Sequence, residues 1–156
     1  MRIFLIISLF LLLFNSKESV GQSGSGYEYK VITVVESIVP GGIGRSRMIE
    51  NNVEVNIDDF TTERSEGTDS DQGSIKRKDA KIDEFSESKM LNFYSLTGIN
   101  FQNIASNDAL VSSKLNQLSN EGWVLEFVTS AVESDAGSED GNGIYITRYI
   151  LKRKAN

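Results

Sequence analysis

The chain has no cysteine and no histidine, and a single proline among its 156 residues. Without cysteine there is no disulfide, no lipid-modified cysteine and no thiol nucleophile. Without histidine there is no Ser-His-Asp triad, no imidazole base and no ordinary zinc site. Carboxylates, hydroxyls, lysine and arginine are the catalytic groups that remain. No N-x-Ser/Thr sequon occurs, which suits a bacterial envelope protein or a secreted protein. Long apolar runs are also missing. The longest, Ile3 to Phe14, is twelve residues broken by Ser8, too short for the ~20 residues that span a bilayer.

That short run is what the sequence does offer as an address. Arg2 supplies a positive end, the run has the dimensions of a secretory h-region, and polar NSKESVGQ follows. Ser19 and Gly21 are small residues at the −3 and −1 positions of a cut before Gln22. Residues 1–21 therefore read as a signal peptide, and the chain as exported, to a periplasm or beyond the cell, with no stable membrane anchor after cleavage. Such a cut leaves 135 residues, one domain by the length prior of about 100–200. It removes Arg2, Lys17 and Glu18, so the formal charge moves from −6 to −7. An acidic chain gains nothing electrostatically from nucleic acid or an anionic lipid surface.

Residues 22–26, QSGSG, form a flexible lead-in to a single α+β domain over residues 27–156. Tyr27 to Ile38 reads as a strand rich in aromatic and β-branched residues. Tyr27, Tyr29, Val31 and Val35 share one face, Ile32 and Val34 the other, so a central strand covered on at least one side is expected. Pro40 ends it, and PGGIG turns the chain. From Glu50 to Lys89 twelve acidic residues face six basic ones. Val53, Val55 and Ile57 alternate as an edge strand would. Residues 61–84 carry too little apolar surface to offset the entropy of ordering, which predicts a mobile acidic loop. Order is expected again from Met90 to Ile104, as two short extended pieces about Gly98, with Phe93, Tyr94, Leu96, Ile99 and Phe101 as core or core edge.

Ser106, Asn107 and Asp108 offer a helix N-cap. Val111, Leu115 and Leu118 then make a one-sided stripe at i, i+4 and i+7, and Gly122 stands where a left-handed residue stops a helix. Trp123 opens the strand WVLEFVTSAV. The loop ESDAGSEDGNG leads to the strand IYITRYILKRK, completing an antiparallel hairpin. The expected fold is one main helix on an antiparallel sheet of three to five strands.

The pattern YEYKVI, then LNQLSNEGWVLEFV, then YITRYILKRK, resembles the small bacterial domain of unknown function family 4177. The resemblance covers Tyr27–Ile38 and Leu110–Lys154 and implies a β-α-β-β unit with one helix on a short antiparallel sheet. The stretch from Val39 to Ala105 is longer than that frame needs, as if inserted between first strand and helix. The resemblance implies no catalytic residue.

VPGGIGRSRMI is the most suggestive local motif. Backbone N–H groups at Gly41, Gly42 and Gly44 could face an anion, with Arg45 and Arg47 adding charge-assisted contacts. It lacks the G-x-G-x-x-G spacing and the Walker lysine, and glycines after a proline also simply make a turn. The acidic stretches Asp69–Gly73 and Glu133–Gly143 invite a calcium reading. An EF-hand loop from Asp69 would need glycine and glutamate where Ser74 and Ala80 stand, so both read as solvated loops. Asp58–Asp59 and Glu139–Asp140 lack the burial that would raise a pKa for acid–base work. Trp123 reads as the anchor of helix–sheet packing rather than a sugar platform, and Lys152, Arg153 and Lys154 as a solvated strand end.

No cofactor, no metal and no enzymatic activity are expected. The leading expectation is a non-catalytic exported module that binds an envelope component or associates with itself through exposed strand edges. The rival is a small-ligand or anion site, binding or enzymatic, built from the PGGIGRSR loop and the Phe93–Phe101 segment.

Overall fold

The computed structural model describes residues 26–37, 46–65, 67, 70–132 and 143–155. The β-branched and aromatic run at its start forms strand β1, Tyr27–Ser37. Its even-numbered face is buried, with Ile32 and Val34 each 2% exposed, while Tyr29 and Val31 on the odd face remain open. The strand is central. A five-stranded sheet runs in the order β3-β2-β1-β7-β6, with β2 at Arg47–Asn51, β3 at Phe85–Lys89, β6 at Val124–Val132 and β7 at Ile144–Lys154. β1/β2, β2/β3 and β6/β7 pair antiparallel. The compact unit is Tyr29–Arg153. A smaller unit, Met1–Glu28 with Lys154–Asn156, is described only near its two strand ends, where the Ala155 amide donates to the Gly26 carbonyl at 3.0 Å.

Among the described residues one α-helix, α1 (Phe101–Asn120), lies on the sheet, making this an α+β fold. Ile32, Val34, Met48, Met90, Leu118, Trp123 and Leu151 form the core, with Val111, Leu115 and Tyr149 packed around it. The end of α1 is a Schellman motif. Trp123 N–H donates to the Leu118 carbonyl and Gly122 N–H to the Ser119 carbonyl, both at 3.0 Å, and Gly122 takes φ 86°. The flanking side chains Leu118 and Trp123 are both in the core, so the local stop signal and the tertiary packing agree. The helix turns straight into β6 because of it.

The start of α1 differs from expectation. The cap is Asn100, whose side chain accepts from the Gln102 and Asn103 amides at 3.1 and 3.2 Å. Ser106, Asn107 and Asp108 lie inside the helix, and the Ser106 hydroxyl donates to the Gln102 carbonyl one turn back. Asn107 sits on the buried stripe, four residues before Val111, where a polar residue disguises the apolar period.

The expected edge strand at Val53, Val55 and Ile57 is also corrected. Sheet pairing falls on Arg47–Asn51, where Met48 is buried. It stops because the Asn51 side chain turns the chain, accepting from Val53 N–H and donating to its carbonyl. Ile57–Phe60 is then a single 3-10 turn, and Asp71–Ser74 another. β3 was not anticipated, since its FSESK sequence is polar and exposed throughout.

The Phe93–Phe101 segment contributes less core than its composition suggests. Two short strands, β4 (Tyr94–Ser95) and β5 (Gly98–Ile99), pair as a tight hairpin, with Gly98 at φ 118°. The turn leaves Leu96 89% exposed, and Phe101 on the first turn of α1 is 76% exposed. The buried anchor of the longer Met90–Ile104 stretch is Met90.

Candidate functional site

Two buried serines flank the glycine-rich stretch 38–45 in sequence. Ser37 ends β1 and Ser46 precedes β2, and both are fully buried. The Ser46 hydroxyl accepts from the Ser37 amide at 3.0 Å and donates to Asn92 Oδ1 at 2.7 Å. Met90 N–H donates to the Ser46 carbonyl and Phe93 N–H to the Ser37 carbonyl, each at 3.1 Å. Asn103 of α1 donates to the Asn92 carbonyl at 2.8 Å. The Met90–Phe93 strip is thus pinned between sheet and helix.

Asn107 extends this seam. Its Oδ1 accepts from Leu91 N–H at 2.9 Å, and its Nδ2 donates to the Leu91 carbonyl at 2.8 Å and to Glu36 Oε1 at 2.9 Å. One side chain therefore satisfies both backbone groups of Leu91, as a neighbouring strand would. Burial pushes the Glu36 carboxyl above its ordinary pKa; the Asn107 hydrogen bond opposes this, and the charge of Asp108 adds to it. Burial, then the charges of Glu36 and Asp108, raise the Tyr149 hydroxyl in turn. Among the described residues no buried side-chain nitrogen or oxygen lacks a partner. A fully satisfied seam of this kind holds a fold in one arrangement.

Of the candidate anion ligands, only Arg47 belongs to the described residues; Gly41, Gly42, Gly44 and Arg45 lie outside them. Arg47 pairs with Glu87 of β3 at 2.6 Å, both side chains about two-fifths exposed (40% and 42%). Of the acidic stretches, Asp71 to Gly73 form part of the exposed second 3-10 turn, Asp69 lies outside the described residues, and so do 133–142. Asp58 and Asp59 sit on the exposed first turn, beside an open groove of ≈ 380 Å³ between Val53–Phe60 and Asp79–Glu84. Among the described residues no three acidic side chains gather as a metal site.

Trp123 is 7% exposed, so it offers no stacking face. The Arg153 guanidinium lies 4.4 Å from its ring centroid and Lys30 Nζ 5.4 Å. Lys30 also bonds Glu50 at 2.6 Å, and Lys114 of α1 pairs with the other oxygen of that carboxylate. Burial alone would push the Glu50 carboxyl up, but the hydrogen bonds and charges of Lys114 and Lys30 outweigh it and hold it below the usual range. At the end of β7, Lys152 pairs with Glu126 at 2.7 Å. Arg153 and Lys152 are therefore engaged by neighbours, where a solvated strand end was expected.

The surface that stands out is β6. All nine of its residues are exposed, including Val124 (60%), Phe127 (59%) and Val132 (56%), with Leu125 and Val128 also open. β7 borders it on one side, and among the described residues no further strand borders it on the other. The strand lies where its alternating sequence predicted, and Trp123, which precedes it, is in the core, while the residues of β6 itself are exposed.

No family model, curated protein or solved structure matches the chain.

Proposed function

We propose that this chain is an exported, non-catalytic binding or assembly module of a bacterial envelope, which engages its partner through the free edge of β6. The observation that carries the reading is the exposed nine-residue strand, five of whose side chains are large apolar ones. A folded monomer rarely leaves such an edge open without charge or cover, because it templates pairing with another strand. The leader-like residues 1–21 support export, and the resemblance to domain of unknown function family 4177 supports a bacterial setting. The polar seam supports a non-catalytic role, because its buried groups are spent on holding the Met90–Phe93 strip.

Crosslinking on intact cells, followed by affinity capture from the envelope fraction, tests this directly. A crosslinked product that disappears when Ser130 of β6 is changed to lysine is the expected result. A chain that stays uncrosslinked in the cell, or a product indifferent to Ser130→Lys, would count against it.

A further inference from the structure

The two edges of the sheet are built differently. β3 presents Phe85, Ser86, Glu87, Ser88 and Lys89, with Glu87 tied to Arg47, an edge guarded by charge. β6 carries one charged residue in nine, Glu126, and that carboxylate is already paired with Lys152 of its own hairpin. A register irregularity between Leu125 and Phe127 sets the first part of β6 apart. Beyond it, Phe127 to Val132 pair one for one with Ile150 to Tyr145. This regular part of the edge is uncharged and exposed at every position, and its last five residues are Val-Thr-Ser-Ala-Val.

Resting on the reading of β6 as the binding edge, we propose that the partner is a second copy of this chain. The two β6 strands pair antiparallel about a two-fold axis at Ser130, joining two five-stranded sheets into one. In that register Val128 faces Val132 of the other copy, Thr129 faces Ala131, and Ser130 faces its own equivalent. The pattern is self-complementary in three ways. Like-sized apolar residues meet at both ends, and the small residues Ser130 and Ala131 sit near the axis. No charge opposes its own copy, since Glu126 lies outside the paired five and is neutralised within each hairpin. Strand alternation also agrees: residues 128, 130 and 132 share one face and 129 and 131 the other, so facing residues emerge on the same side. A register centred on Val128 would cross the irregularity and set Leu125 and Ala131, which lie on opposite faces, against each other.

The absence of native cysteine makes the test clean. Protein expressed with its own leader and purified would be examined by light scattering coupled to size exclusion over a range of concentrations. The expected result is a concentration-dependent dimer, lost in Ser130→Lys, which places two ammonium groups on the axis. Under mild oxidation Ser130→Cys should form a covalent dimer at least tenfold faster than Ser88→Cys, placed on the opposite edge. Thermal unfolding checks that the lysine variant is folded, and the cysteine pair gives an answer independent of it. A wild-type monomer at all concentrations, or equal crosslinking at the two edges, would overturn self-pairing. If cellular crosslinking to another protein, sensitive to Ser130→Lys, were then still found, the dimer would be refuted and the binding-module reading would stand.

Discussion

Replacing Asn107 by leucine probes the buried seam that joins sheet, helix and connecting strip. Leucine has nearly the same size and suits the apolar stripe of α1, so propensity and burial both favour it. The loss is in hydrogen bonding. Leu91 N–H and C=O give up bonds of 2.9 and 2.8 Å, and Glu36 gives up its 2.9 Å donor. Each stranded backbone group costs about 1–3 kcal/mol, and Leu91 is 38% exposed, which puts the pair toward the lower half, about 2–4 kcal/mol together. Burying the leucine methyls returns about 1–2 kcal/mol. The donor lost by Glu36 adds about 1 kcal/mol, so the net destabilisation is about 1–4 kcal/mol. With a urea slope of about 2 kcal/mol/M, the unfolding midpoint should fall by about 0.5–2 M. Hydrogen exchange should show the Leu91 amide losing more protection than amides in the centre of β1. An unchanged or higher midpoint, with Leu91 still protected, would refute the reasoning. It would mean that Ser37, Ser46 and Asn103 hold the strip without Asn107.

Glu36→Gln tests the same seam through pH. The folded carboxyl titrates above its ordinary value, so its relative stabilisation is complete below that value and is lost as pH rises through the folded pKa. The stability of Glu36→Gln relative to wild type should therefore grow from acid toward neutral pH in paired denaturant titrations; a difference independent of pH would be the contrary result. Glu50 has the opposite sign. Its lowered pKa stabilises the fold above the ordinary carboxylate value, and that stabilisation is lost as pH falls through the folded value. Glu50→Gln, which leaves Lys30 and Lys114 facing each other, should cost about 1–3 kcal/mol at pH 7 and less in acid, read by chemical denaturation. Gly122→Ala meets no atom within 4 Å, so its expected cost of about 1–2 kcal/mol comes from φ 86° alone and should appear as a lower melting temperature.

The parts of the fold legible in the chain were those where local and tertiary signals coincide. β1 has apolar residues on both faces near its middle, as a central strand does. Glu121-Gly122-Trp123 states a helix stop in its φ requirement and its flanking apolar pair. What escaped was governed by contacts distant in sequence. Asn107 looks like a cap because asparagine is favoured there, yet the sheet and the Met90–Phe93 strip give its amide three partners inside the helix. β2 and β3 exist because Met48 finds the core and β1 offers an edge, not because their own sequences announce strands. The Val53–Ile57 alternation was a true period with no strand left to pair.

For function, the division follows the same physics. Composition alone excluded thiol and imidazole chemistry, and the short apolar run Ile3–Phe14 raised the expectation of export. The alternation of VLEFVTSAV made a strand certain, but alternation says only that a residue leans to one face or the other. Whether that face meets a helix depends on where the strand stands in the sheet. The order β3-β2-β1-β7-β6 puts this apolar strand at the rim of the sheet, where all nine of its residues are exposed and, among the described residues, no strand pairs with its outer edge. Burial is a property of neighbours, and only the tertiary structure could turn a core-like sequence into an exposed edge.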